Sequence, residues 1–284
     1  MQNNSSLVSV IIPTKNCSES LQPLLSSIKK QNYKNYEIIV VDNGSTDPTK
    51  KVARLAGAKV YDQGPERGAQ KNFGADKARG NYLFFIDADM ELEAGVLTEC
   101  FNLVATGYSG VIVPEKSVGE GFWNDCIILE RRCYEDDQDM TAARFLPKNT
   151  FSDLGGFDEN LVASGDDMDL SQRLRRKGGR IGRTKSFIIH HEGKRDPWST
   201  IKKWRYYGRD MHKYYAKNPI ESALQYLPIR RAWVRHWQIL VVDPIHTLGF
   251  MLLKLCNFIG VVWGQLEIRF FPNRLKKYNP YLKK

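Results

Sequence analysis

Cysteine is scarce in this 284-residue sequence: Cys17, Cys100, Cys126, Cys133 and Cys256 are odd in number, widely spaced and without a CxxC pair. That excludes a disulfide framework, argues against a zinc site and suits a reducing compartment. There is no internal repeat and no low-complexity tract, so a tail or peptide-like binder is excluded too. MQNNSSLVSVIIPT lacks a basic n-region and a long apolar core before Pro13, which sets the expectation of no secretory signal and a cytosolic protein. The chain also lacks the several long apolar spans that an export channel needs.

What is present has the composition of a globular protein, with 42% hydrophobic and 26% charged residues. The length fits one large domain, or one domain with a small appendage. The net charge of +10 is unevenly placed. Residues 195–284 hold 17 Lys and Arg against 5 Asp and Glu, a balance of +12, which leaves −2 for residues 1–194. The same segment carries five of the six tryptophans. Basic residues interleaved with Trp and Tyr point to an anionic membrane face or to nucleic acid, and no nucleic-acid module is recognisable. The plainer alternative is a helical subdomain with a solvated basic face.

The first half alternates between strand and helix patterns. Leu7 to Ile12 and Tyr36 to Val41 are compact apolar runs, and each gives way to turn chemistry. In VVDNGSTDPTK, the Ser45 and Thr46 hydroxyls are placed to cap a helix with Pro48 in its first turn, and Gly57 closes that helix before a short strand around Val60. A helix over roughly 69–79 ends at Gly80, which suits a C′ position, and Tyr82 to Ile86 reads as the next strand. Repeated βαβ predicts an α/β fold with a mostly parallel sheet covered on both faces. In such sheets ligands sit beyond the carboxyl ends of the strands, where Asp42 and Asp87 both fall.

YLFFIDADM runs a buried strand straight into Asp87 and Asp89. A single acid there is ordinarily a turn or cap residue, but two close carboxylates need a proton, a cationic side chain or a metal to relieve their repulsion. A divalent cation carried by a diphosphate would serve. The pair also has company in chain order: SVIIPTKN, IIVVDNGSTD, GAQKNFGADKARGNYLFFIDADM, GGFDENLVASGDDMDLSQRLRRKGGRI and FIIHHEG.

Together these stretches, over about residues 7–195, resemble a family 2 glycosyltransferase with the GT-A fold. The resemblance implies a metal-dependent, inverting transfer of sugar from a nucleoside-diphosphate sugar, UDP on family habit. Matched position by position, it implies that Pro13, Thr14 and Lys15 border the base and that Asp42 accepts hydrogen bonds from it. Lys71 and Asn72 would lie beside the nucleotide, Asp87 would face ribose and diphosphate, and Asp89 would ligate Mg or Mn. Asp166-Asp167 matches the family's acidic pair, whose second member acts as general base, and Gly155-Gly156-Phe157 would shape the acceptor side. His190, by its HxxG spacing to Gly193, is favoured over His191 to reach metal or diphosphate. Lys15 stands where the family often has an aromatic residue, Lys71 where it often has Arg, and Asp166 where Glu is commoner. QRLRR carries no tryptophan where processive synthases have QxxRW, so transfer of a single sugar is expected.

The expected organisation is a catalytic domain over 1–195 and a basic, aromatic-rich helical extension over 196–284. Within the extension, Ile245 to Ile268 reads as an amphipathic helix with Lys254 at mid-span, which fits lying on a membrane or packing on the protein better than spanning. A lipid-linked acceptor at the cytosolic membrane face follows as an expectation. The rivals are a sugar-1-phosphate nucleotidyltransferase, whose Gly-rich loop is missing after Ile12, and a catalytically silent sugar-nucleotide sensor or membrane scaffold.

Overall fold

The computed structural model describes residues 6–137, 140–161, 165–226 and 230–271. Its strands are β1 (Val8–Thr14), β2 (Tyr36–Asp42), β3 (Lys59–Asp62), β4 (Tyr82–Phe85), β5 (Met90–Leu92), β6 (Gly110–Ile112), β7 (Glu115–Val118), β8 (Ala143–Pro147), β9 (Ile181–Arg183) and β10 (Ile188–His191). The helices are α1 (Ser18–Lys29), α2 (Thr49–Leu55), α3 (Arg67–Lys77), α4 (Val96–Ala105), α5 (Phe122–Arg132), α6 (Lys148–Asp153), α7 (Asp166–Arg176), α8 (Pro197–Lys217), α9 (Pro219–Tyr226), α10 (Arg231–Arg235), α11 (Trp237–Val242) and α12 (Pro244–Phe270).

The main sheet runs β3-β2-β1-β4-β8-β6-β9, and a small sheet runs β5-β10-β7. β1, β2, β3 and β4 are parallel, as are β6 and β9, while β8 runs antiparallel to both β4 and β6. The mostly parallel α/β sheet expected from the sequence is therefore present. Because side chains alternate along a strand, Val8, Val10 and Ile12 of β1 enter one apolar cluster with Leu21, Leu25 and Leu97. Ile11 enters the opposite cluster with Ala75, Phe151 and Leu170. Helices thus cover both faces, which is why β1 is apolar at nearly every position.

Two local expectations are corrected. Pro48 stands before α2 rather than in its first turn, and neither Ser45 nor Thr46 caps that helix; Asp47 accepts from the Thr49 N–H instead. Gly80 is needed for close approach: a Cβ there would lie 2.6 Å from the Leu7 carbonyl oxygen, and α3 has already ended at Lys77. Gly57, at φ +88°, does take the left-handed conformation that ends α2.

Two compact units emerge. One comprises Met1–Lys116, Thr141–Glu159 and Asp166–His191; the other comprises Ser117–Met140, Asn160–Gly165 and Glu192–Lys284. α5 falls with the C-terminal helices because Cys126 packs with Phe250 and Leu253. In this second unit α8 and α12 touch through glycines: a Cβ on Gly208 would lie 2.6 Å from Val261 Cα, and one on Gly260 2.6 Å from the Ile201 carbonyl oxygen. Lys254, at mid-helix, is paired with Glu130 at 2.6 Å, and Glu267 with Arg205 and Arg209 at 2.6 and 2.7 Å.

Candidate active site

Thr14 and Asp42 face each other in register at the ends of β1 and β2. Asp87 follows β4 by two residues, on the same edge of the sheet. To this edge the chain adds the N-terminus of α7, where Asp166 and Asp167 open the helix with the polarity its dipole favours. Lys71, from the middle of α3, has no exposed side-chain surface; its ammonium donates to Asp167 at 2.6 Å and to Asp166 at 3.3 Å. The Phe157 ring lies 4.8 Å from the same ammonium.

A buried ammonium is tenable only with such company. Burial works to discharge Lys71, but Asp166, Asp167 and Asp87 outweigh it and keep the lysine charged. The two acids are pushed apart. Burial raises Asp166, yet Lys71 and Arg67 bring it below the ordinary range, whereas burial together with the Asp166 charge holds Asp167 above it. Asp167 retains 26% side-chain exposure, against 7% for Asp166. One carboxylate is a fixed charge; the other is a basic, reachable group.

A second chain of charges runs from Asp89 inward. Asp89 is half exposed, and its Oδ2 lies 3.6 Å from His190 Nε2. His190 Nδ1 lies 3.4 Å from Glu115 Oε2, and the other Glu115 oxygen accepts from Arg144 at 2.6 Å. Arg144 Nη1 then lies 3.5 Å from Asp87 Oδ2. Burial would raise Asp87, but Lys71, Arg144 and Arg67 hold it well below the usual carboxylate range. Asp87 Oδ1 is buried without a hydrogen-bond partner, so the acid keeps unused acceptor capacity facing the cluster. β10 pairs with β5 so that His190 sits opposite Met90, and alternation along β10 separates the two histidines: His190 turns inward, while His191 pairs with Glu91 at 2.6 Å on the surface.

The remaining candidates lie on or beside β1, β2 and α3. Asp42 is fully buried, and its oxygens accept from the Thr14 hydroxyl at 3.0 Å and from the Ser45 N–H and hydroxyl at 2.7 and 2.5 Å, which fixes its orientation at the ends of β1 and β2. The Asn72 side chain accepts from the Phe157 N–H at 2.8 Å and donates to the Phe157 carbonyl at 3.0 Å, clamping the glycine loop before α7. In that loop Gly155 and Gly156 have φ of +79° and +71°, which explains the glycine pair. Pro13 is buried in β1, and Lys15 lies half-buried just past its end. Arg144 and Glu115 escaped sequence reasoning. An arginine inside the otherwise apolar run AARFLP was the available signal; Glu115 offered none.

Residues 9–152 match the family model described as Glycosyl transferase family 2. The chain belongs to this family. Among curated members, the GalNAc(5)-diNAcBac-PP-undecaprenol beta-1,3-glucosyltransferase of Campylobacter jejuni is 36% identical over 114 residues, covering 37% of this chain and 36% of that protein. Glycosyltransferase AglE of Haloferax volcanii is 30% identical over 189 residues, 58% of this chain and 60% of AglE. The match therefore spans less than two thirds of either relative. Among solved structures, mannosyltransferase PcManGT from Pyrobaculum calidifontis, in complex with GDP-Man and Mn2+, has a TM-score of 0.63 at 18% identity, over 90% of this chain and 87% of its own. S. aureus TarS 1-349 gives 0.55 at 16%, over 92% and 91%. The shared architecture is GT-A.

Proposed function

We propose that this family member is an inverting glycosyltransferase that moves a single sugar from a nucleoside-diphosphate sugar, UDP favoured, to an acceptor hydroxyl carried on a lipid. The observation that supports it best is the pair of acids at the start of α7, driven apart in proton affinity around Lys71, in the same unit as Asp87, Asp89 and His190. The lipid-linked acceptor is supported by the undecaprenol-linked substrate in the name of the Campylobacter relative.

In this reading Asp167 accepts the acceptor's hydroxyl proton as that oxygen bonds to the anomeric carbon. The bond from that carbon to the diphosphate oxygen breaks, and its electron pair leaves with the nucleoside diphosphate. A single displacement inverts the configuration. Lys71 fixes the orientation of Asp167 and, with Asp166, forms a rigid charged floor. Pro13, Thr14 and Lys15 border the base, with Asp42 bracing that wall from behind, and Asp87 faces the ribose or diphosphate.

Asp89 and His190 would supply a carboxylate oxygen, which suits Mg or Mn, and an imidazole nitrogen, which Mn accepts more readily than Mg. Among the described residues no three His, Cys, Asp or Glu are grouped to hold an ion alone, which fits a cation shared with the donor's diphosphate. Such an ion would offset charge on the departing diphosphate.

Calorimetric titration of UDP, GDP and dTDP into wild type and Asp89→Ala, with Mn and with chelator, tests the donor site. Metal-dependent binding of one nucleotide, lost in the variant, is expected. Absence of binding by all three would defeat the enzyme reading and favour a scaffold.

A further inference from the structure

α12 is long and apolar enough to cross a membrane by length and composition, yet its two faces differ. Gly260 and Gly264 press against α8, Lys254 reaches Glu130, and Glu267 is held by Arg205 and Arg209. On the other face Ile245, Leu248, Leu252, Leu255, Ile259 and Leu266 recur at helical spacing and keep 43–68% of their surfaces exposed. That ridge extends about 32 Å, from 21 steps of 1.5 Å. No single-residue accident explains so long an uncovered apolar strip.

The margin of the ridge is aromatic and basic. Trp198 and Trp263 lie 6.2 Å apart, Lys202 Nζ stands 5.3 Å from the Trp198 ring and Arg205 4.6 Å from that of Trp263. Lys202 and Arg269 are exposed. Tryptophan beside lysine and arginine is the chemistry of a headgroup layer. Glu130 and Glu267, the acids packed along the middle and end of α12, are held in internal pairs, while Asp243 and Asp125 lie at its N-terminal end beside His246, away from Lys202 and Arg269.

We infer that α12 lies along the plane of an anionic lipid bilayer, with its ridge among the acyl chains and Trp198, Trp263, Lys202 and Arg269 at the headgroups. Spanning is ruled out by the partner helix: α8, held to α12 at Gly208, would carry Lys202, Lys203, Arg205, Arg209 and Asp210 into the hydrocarbon. The inference rests on the surface of the second unit and not on sugar transfer, so either proposal can fail without the other.

Co-sedimentation of the full chain with phosphatidylcholine vesicles, with and without phosphatidylglycerol, at low and high salt, tests it. Wild type is expected to partition at least about tenfold better onto the anionic vesicles, with the preference shrinking in salt. Brominated acyl chains should quench its tryptophan fluorescence. The combined Leu252→Ser, Leu255→Ser and Ile259→Ser variant should lose about 10²-fold in partitioning while keeping its circular dichroism, since all three side chains are exposed. Lys202→Glu with Arg269→Glu should abolish only the anionic preference. Equal partitioning of the serine variant and wild type would overturn the inference. So would a monodisperse wild type that ignores both vesicles, a concentration-dependent dimer that the serine variant abolishes, or membrane-bound protein that resists alkaline carbonate.

Discussion

Lys71 and Asp167 meet at 2.6 Å, and the chemistry of that contact is legible in how each responds to losing the other. If Asp167 takes the proton, Asp167→Asn is expected to lower kcat by about 10²–10⁴ while leaving nucleotide affinity unchanged, measured by turnover beside calorimetry. The pH profile carries a second prediction. Burial and Asp166 raise the Asp167 carboxyl, so the acid limb of kcat/KM falls at a pH above the ordinary aspartate range. Lys71 opposes that shift, so Lys71→Met moves the limb to higher pH; an unmoved limb would separate the lysine from the base. None of this pairing was visible in one dimension, because the partners stand 95 and 96 residues apart. Asp87 and Asp89 were legible, since a buried strand that ends in acids is a local anomaly. Glu115 was not, because only the turn of β8 beside β4 and β6 gives it an arginine.

At the level of elements, β2 is tied to its neighbours by one carboxylate. Glu37 accepts from Ser9 on β1 at 2.8 Å, from Lys59 on β3 at 2.9 Å and from the Arg79 N–H at 2.7 Å. Burial alone would raise its carboxyl, but these partners bring it down to about 2. The stabilisation is therefore complete above the unfolded value near 4.3 and is lost as pH falls toward 2. Glu37→Gln should cost about 1–3 kcal/mol at neutral pH by urea denaturation, and the gap to wild type should close in acid. The helical half obeys a different rule. Gly208→Ala, whose Cβ would strike Val261 backbone, should destabilise the second unit by about 1–3 kcal/mol, read from its thermal transition. Element types and order could be read from periodicity and turn chemistry. The misplacements at Pro48 and Gly80 came from partners outside the local window, Asp47 with α1 and the Leu7 carbonyl.

For the molecule as a whole, the five thiols are free, and four of them are buried. Burial pushes Cys17, Cys126 and Cys133 up to about 11, and raises Cys100 and Cys256 as well. Thiolate is then sparse at neutral pH, and native iodoacetamide labelling should be slow at all five sites, with Cys17, the half-buried one, limited by its raised proton affinity and the other four by access as well. Intact-mass analysis should show all five sites alkylated once the chain is unfolded in urea. The asymmetry of charge between the two ends of the chain was plain from composition, but its use was not. Counting lysines does not show which side of α12 faces outward; that follows from where the glycines sit.

The glycine contacts between α8 and α12 give one helix two separate rules of mutational tolerance. On the inner side, at Gly260 and Gly264, substitutions rank by volume, and even a methyl group meets backbone. On the outer side, from Ile245 to Leu266, they rank by polarity if the ridge lies in a bilayer as inferred, and isoleucine, methionine or phenylalanine then replaces leucine freely. A saturation library across these positions would sort into two opposed profiles that repeat every three to four residues, with the boundary between them tracing the waterline of the protein.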